Sequence, residues 1–142
     1  MTFAPVILCV DDDEDDLLFI KEAIRSQKKS FAIKEANDGS EALQYLNQSL
    51  ADNVLPCLII MDVNMPKMNG KQTIDKIREN EHMSRIPIAI FTTSSNEADR
   101  KFFEDKGIHF FTKPFDYKIF NEEIIAVLAL CADLSSWFSS FF

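Results

Sequence analysis

Cationic side chains are scarce in this sequence: 15 Lys and Arg stand against 23 Asp and Glu in 142 residues, a formal net charge of -8. Binding along a phosphate backbone needs clustered Lys and Arg, so nucleic acid is excluded as a direct partner. Cysteine is sparse too. Cys9, Cys57 and Cys131 lie far apart, form no C-x-x-C pair and are odd in number, which argues against a disulfide framework and predicts a reducing compartment. The amino terminus lacks a basic segment and opens directly into a short apolar run, so it reads neither as a secretion signal nor as a membrane anchor. A cytoplasmic location is expected. No internal repeat, linker or low-complexity tract interrupts the chain, which predicts one domain over 1–142, with its core at about 5–130 and 131–142 as a C-terminal helical extension.

What is present is a composition of 46% hydrophobic and 27% charged residues, enough for one buried core. Val6-Ile7-Leu8-Cys9-Val10 and Leu58-Ile59-Ile60-Met61 are short, uninterrupted apolar runs of the kind that form strands covered on both faces. The second ends abruptly at Asp62, and Pro66 and Asn69-Gly70 then supply turn chemistry, so Asp62 is expected at the carboxyl end of a strand. Residues 31–36 alternate weakly and predict an edge strand, followed by a turn at Asn37-Asp38-Gly39 and a helix from about Ser40 through Leu43 and Leu46. Residues 47–56 carry no strong pattern and read as a long loop. Gly70 leads into a helix that buries Ile74 and Ile77. A fourth strand over 87–92 ends in hydroxyls, after which Ser94 and Glu97 form a capping box for a helix that stops at Gly107. Residues 108–112 make the fifth strand, ended by Lys113-Pro114, and the last helix begins near Asp116. Five alternations of strand and helix with short connections mean a parallel sheet with helices on both faces.

Asp11-Asp12-Asp13-Glu14-Asp15-Asp16 is a run of acids wedged between the first strand and the amphipathic pattern Leu17, Ile20, Ile24. The helix dipole accounts for Glu14, Asp15 and Asp16 in a first turn. Asp11 and Asp12 remain at the strand end, and a bound cation would relieve their repulsion. Asp11, Asp13, Asp15 and Glu22 have the spacing of an EF-hand calcium loop, but Asp16 stands where that loop needs Gly and a strand precedes it where a helix belongs, so the EF-hand is rejected.

In a parallel sheet all carboxyl ends of the strands share one edge. Asp11 and Asp12, Asp62, Thr92 and Lys113 therefore converge. Each alone has an ordinary reading, as a turn cap, a β-branched strand filler or an exposed charge; together, three acids, a hydroxyl and a lysine at one edge point to a functional site.

Val10-Asp11-Asp12, Met61-Asp62-x-x-Met65-Pro66-x-Met68-Asn69-Gly70, Phe91-Thr92-Thr93 and Thr112-Lys113-Pro114-Phe115 resemble the receiver domain of two-component response regulators, the CheY-like family, over about residues 5–130. The resemblance implies a flavodoxin-like α/β fold, (βα)5, with sheet order 2-1-3-4-5 and a crevice between the first and third strands. It implies a signalling phosphoacceptor rather than an enzyme: Asp62 would take a phosphoryl group from a phosphohistidine of a sensor histidine kinase or a phosphotransfer protein. Mg2+ would be held by Asp12 directly, Asp11 largely through water, Asp62, and the main-chain carbonyl of Asn64. Lys113 would neutralise the phosphoryl oxygens and Thr92 would hydrogen-bond them. Thr92 and an inward-turning Phe110 would form the switch, reshaping a partner surface made by the fourth helix, fifth strand and fifth helix. The Lys113-Pro114 peptide is usually cis in the family. The stretch from Gly107 to Lys113 looks one residue shorter than usual, and a stand-alone receiver is expected.

Two rival readings are a magnesium-dependent phosphohydrolase using an aspartyl-phosphate, for which Asp11-Asp12-Asp13 offers a D-x-D motif but the chain has no room for a cap domain, and a pseudo-receiver that is never phosphorylated. The tail carries Leu134, Trp137, Phe138, Phe141 and Phe142 at helical spacing. It predicts a last helix longer by about two turns, whose aromatic stripe either folds back on its own domain or frays at the terminus, or makes a homodimer contact. The tail is too short and polar to span a membrane.

Overall fold

The apolar runs form strands because β-branched and long aliphatic side chains suit a pleated surface covered on both sides. β1 (Val6–Val10), β3 (Leu58–Met61) and β4 (Ile88–Thr92) occupy the middle of a five-stranded sheet, with β2 (Ala32–Ala36) and β5 (His109–Thr112) at its edges. The order is β2-β1-β3-β4-β5 and every neighbouring pair is parallel. The structure, a computed structural model, describes residues 5–27, 30–93, 96–113 and 116–139, with 132–139 described for the backbone alone.

Strand side chains alternate between two faces, and the core divides accordingly. Leu8, Val10, Ile59, Met61, Ile88 and Ile90 face α2 (Gly39–Ala51), α3 (Gly70–Arg78) and α4 (Glu97–Asp105), where they meet Leu46, Ile74, Ile77 and Phe103. Ile7, Cys9, Leu58, Ile60, Ala89 and Phe91 face α1 (Glu14–Arg25) and α5 (Tyr117–Ser139), meeting Leu17, Ile20, Ile24, Phe120, Ile124 and Val127. Among the described residues, no helix is long and apolar enough to cross a membrane.

The structure corrects the sequence reading in several places. The first half of the long loop expected at 47–56 is helix, since α2 runs to Ala51. Its inward stripe continues from Ala42 and Leu46 to Ser49, which is buried; a serine at that helical phase hides the amphipathic signal. The helix then closes with Asn53 in the left-handed region at φ 59, while Asn53 N–H donates to the Leu50 carbonyl and Val54 N–H to that of Ser49, the Schellman pattern. Gly107, at φ 73, ends α4 in the same way: its N–H and that of Ile108 donate to the Glu104 and Phe103 carbonyls.

The cap of α4 is Asn96, whose side chain accepts from the amides of Ala98 and Asp99, in place of the expected Ser94. Ser94 lies outside the described residues, as do Pro114, Phe115, Phe141, Phe142 and the side chains of Leu134, Trp137 and Phe138. A turn of 3-10 helix, Met83–Arg85, precedes β4. The reading against a disulfide framework is corrected at one pair. Cys57 and Cys131 form a disulfide, with Cα atoms 5.0 Å apart across 74 residues of sequence, and buried Cys9 stays free. Spacing along the chain carries no information about this pair, because only the packing of α5 against the start of β3 brings the two together.

Gly39 opens α2 where α3 crosses it. A Cβ there would collide with Thr73 Oγ1 and stand 2.9 Å from the Met68 carbonyl oxygen. Alanine would gain up to about 1 kcal/mol of helix propensity, but overpacking against a backbone carbonyl costs roughly 1–3 kcal/mol. Gly39→Ala is therefore expected to lower the urea midpoint. A variant as stable as the parent would mean that α2 and α3 separate freely.

Candidate functional site

Three polar residues each continue a ladder by one rung beyond its strand. Asp11 N–H donates to the Ala36 carbonyl at 3.0 Å, Asp62 N–H to that of Val10 at 3.0 Å, and Lys113 N–H to that of Thr92 at 2.7 Å. These backbone bonds fix where the side chains leave the sheet, at its carboxyl edge. Asp11 is 2% exposed and Asp62 9%, whereas Asp12 is exposed. One oxygen from each of Asp11, Asp12 and Asp62 lies within 4.8 Å of the others.

Lys113 reaches across this crevice. Its Nζ donates to Asp11 Oδ2 at 2.7 Å and to Asp16 Oδ2 at 2.8 Å, and stands 3.8 Å from Asp62 Oδ2. Burial by itself would push the ammonium pKa down; the hydrogen bonds to Asp11 and Asp16 and the charges of Asp62 and Asp11 outweigh it, so the net shift is upward. Burial pushes the Asp11 carboxyl up, and the hydrogen bonds from Lys113 and the Asp13 amide offset only part of that.

The acid run resolves into distinct tasks. Asp11 Oδ1 accepts from the Asp13 amide at 3.0 Å, and the Asp13 side chain caps α1 by accepting from the amides of Asp15 and Asp16. Asp16, read from the sequence only as a partner of the helix dipole, instead contacts Lys113. The signal available was its place in the first turn of the helix that starts at the acid pair.

The loop after Asp62 is shaped by close backbone approach. Val63 N–H donates to Asp62 Oδ1 at 2.7 Å, and Gly70 N–H to the Val63 carbonyl at 2.9 Å. A Cβ on Gly70 would sit 3.0 Å from both the Asp62 carbonyl oxygen and Val63 Cα, so a larger residue would press on this backbone. Asn69 and Gln72 complete a capping box that starts α3 at that contact. Lys67 adopts φ 65, and Met68 N–H turns back onto the Pro66 carbonyl. Asn64 is exposed in this loop.

Thr92 ends β4, two residues beyond Ile90, the partner of Met61, and is fully buried. Phe110 is not in the crevice. It is 7% exposed, its ring lies 5.9 Å from that of Phe103, and the Arg100 guanidinium stands 4.9 Å from its centre. Phe110 is packed inward in this structure, where Phe103 and Arg100 of α4 give the ring apolar and cationic partners.

The donor set suits a hard divalent cation. Magnesium takes oxygen ligands and keeps several waters, and three carboxylates that each bring one oxygen within 4.8 Å of the others could hold it.

Residues 7–125 match the family described as the response regulator receiver domain. Response regulator Rcp1 of Synechocystis sp. is 32% identical over 96 residues, which cover 66% of this chain and 65% of Rcp1. Two further curated relatives are much longer, the matches covering 25% and 9% of their lengths. The chain is similar to the solved structure of the phosphorylated cyanobacterial phytochrome response regulator RcpA, with a TM-score of 0.76 at 26% identity over 97% of this chain and 96% of that one. It is also similar to the Mn2+-bound form of Rcp1, with a TM-score of 0.75 at 28% identity over 84% of this chain and 88% of that one. The sheet order, the acid-lined carboxyl edge and these likenesses agree, and the chain belongs to the CheY-like response regulator receiver family of two-component signal transduction.

Proposed function

We propose that this receiver is a phosphoacceptor that takes a phosphoryl group onto Asp62 from a phosphohistidine of a sensor kinase or phosphotransfer protein. The observation that carries the reading is the convergence of Asp11, Asp12 and Asp62 within 4.8 Å, with the Lys113 ammonium 3.8 Å from Asp62. In the transfer a carboxylate oxygen of Asp62 bonds to phosphorus as the P–N bond of the phosphohistidine breaks. The electron pair of that bond returns to the imidazole. A magnesium ion held by Asp11, Asp12, Asp62 and the main-chain carbonyl of Asn64 would supply charge neutralisation at the phosphoryl oxygens.

Phosphoryl transfer asks a protein for position and charge rather than for covalent work. The ladder bonds and the close approach of Gly70 hold the Asp62 backbone. Lys113 brings a positive charge to the developing phosphoryl oxygens, and the Thr92 hydroxyl donates to one of them afterwards. Movement at Thr92 is then felt by α4 and β5, whose inward-packed Phe110 is one of two arrangements that the phosphoryl group selects between. The downstream partner binds the face of α4, β5 and α5, and the tail of α5 serves self-association.

Incubation with a phosphorylated kinase or with acetyl phosphate in magnesium is expected to label the protein with one acid-labile phosphoryl group. Asp62→Asn and chelation of the metal should each abolish the label, and label that persists through both would place the acceptor elsewhere.

Thr92→Ala is expected to be labelled at close to the parental rate while losing the response beyond the site. Amide NMR shifts would read this. On phosphorylation the parent should show changes through α4 and β5, and the variant should confine them to residues next to Asp62. Equal spread in both proteins would remove Thr92 from the switch.

A further inference from the structure

An ammonium group has three protons to donate, and in Lys113 two are engaged by carboxylates on the α1 side of the crevice. Asp11 Oδ2 takes one at 2.7 Å and Asp16 Oδ2 another at 2.8 Å, while Asp62 Oδ2 stands at 3.8 Å, beyond hydrogen-bond reach. Asp11 belongs to the acid pair of the strand end. Asp16 does not: it lies in the first turn of α1, its side chain is 38% exposed, and it is not one of the clustered acids of the cation site. Asp15, in the same helical turn, is exposed and engages the Asp13 cap only through its own amide.

We propose that Asp16 is a positioning residue that holds the Lys113 ammonium back toward α1, so that phosphoryl oxygens on Asp62 must compete with it for the lysine. The inference rests on Asp62 being the acceptor. A phosphoryl oxygen draws the ammonium toward Asp62, and the hydrogen bond to Asp16 is loosened as it moves. Charge-assisted hydrogen bonds are stronger than neutral ones, and partial exposure moderates this one. Asp16 therefore sets how readily the receiver takes up and holds a phosphoryl group without touching that group itself.

The test compares Asp16→Asn, Asp16→Glu and Asp15→Asn in the full chain. With acetyl phosphate and magnesium, the Asp62 Oδ–P bond forms as the P–O bond to acetate breaks and acetate leaves. Asp16→Asn is expected to be phosphorylated roughly threefold to tenfold faster than the parent, and to bind beryllium trifluoride, a phosphoryl mimic, more tightly by a similar factor. Asp16→Glu, which keeps the charge, and Asp15→Asn, which removes the same charge one residue away, should both stay within about twofold of the parent. A rate for Asp16→Asn no higher than that of the parent or of Asp15→Asn overturns the proposal. A stability double-mutant cycle of Asp16→Asn with Lys113→Met reads the contact without phosphorylation. Coupling between the two is expected, and strictly additive effects overturn the tether. A parent that neither takes up label nor binds the mimic defeats the phosphoacceptor reading itself, whereas a labelled parent with an unresponsive Asp16→Asn defeats only this inference.

Discussion

Burial of two carboxylates side by side is the constraint around which this molecule is arranged. Asp11 and Asp62 are nearly inaccessible, and their oxygens approach within 4.8 Å, a juxtaposition that low-dielectric surroundings make costly. Lys113 supplies the opposite charge from the end of β5, although it is remote from Asp11 in sequence. The backbone cannot yield to relieve the repulsion, because Asp11, Asp62 and Lys113 are each pinned by a ladder hydrogen bond one rung past their strands. The two carboxylates are therefore held close together, with the Lys113 ammonium as their counter-charge.

The sheet is what makes such pinning affordable. Three central strands covered on both faces carry the two apolar layers, so the carboxyl edge can be polar without exposing the core. Helix starts are then drawn to that edge. α1 begins on the Asp13 cap beside Asp11, and α3 begins on Asn69 with Gly70 pressed against the Asp62 carbonyl. The same residues that end strands and start helices thereby set the walls of the crevice.

At the opposite end of β3 the chain is tied in a different manner. Cys57 enters that strand and is joined to Cys131 of α5, the helix that continues past the family match to Ser139. The last helix is thus anchored on the sheet through Phe120, Ile124, Val127 and the disulfide before its final turns begin. The link constrains the chain across a long stretch of sequence.

Local sequence by itself determined the elements and the polar residues that end them. Apolar runs stopping at Asp11, Asp62, Thr92 and Lys113 need only short-range chemistry to read, and strand–helix alternation forces parallel strands whose carboxyl ends share an edge. It was silent where a residue's partner is distant or its phase is disguised. Buried Ser49 concealed the last turns of α2, and Asn96 took the α4 cap. Only the tertiary structure decided that Cys57 meets Cys131, that Phe110 packs inward on Phe103 beneath Arg100, and that Asp16 joins Asp11 on the Lys113 ammonium. Periodicity specifies which face a side chain occupies. Which group it meets across the crevice depends on strand order, register and helix docking, and these emerge only when the whole chain packs.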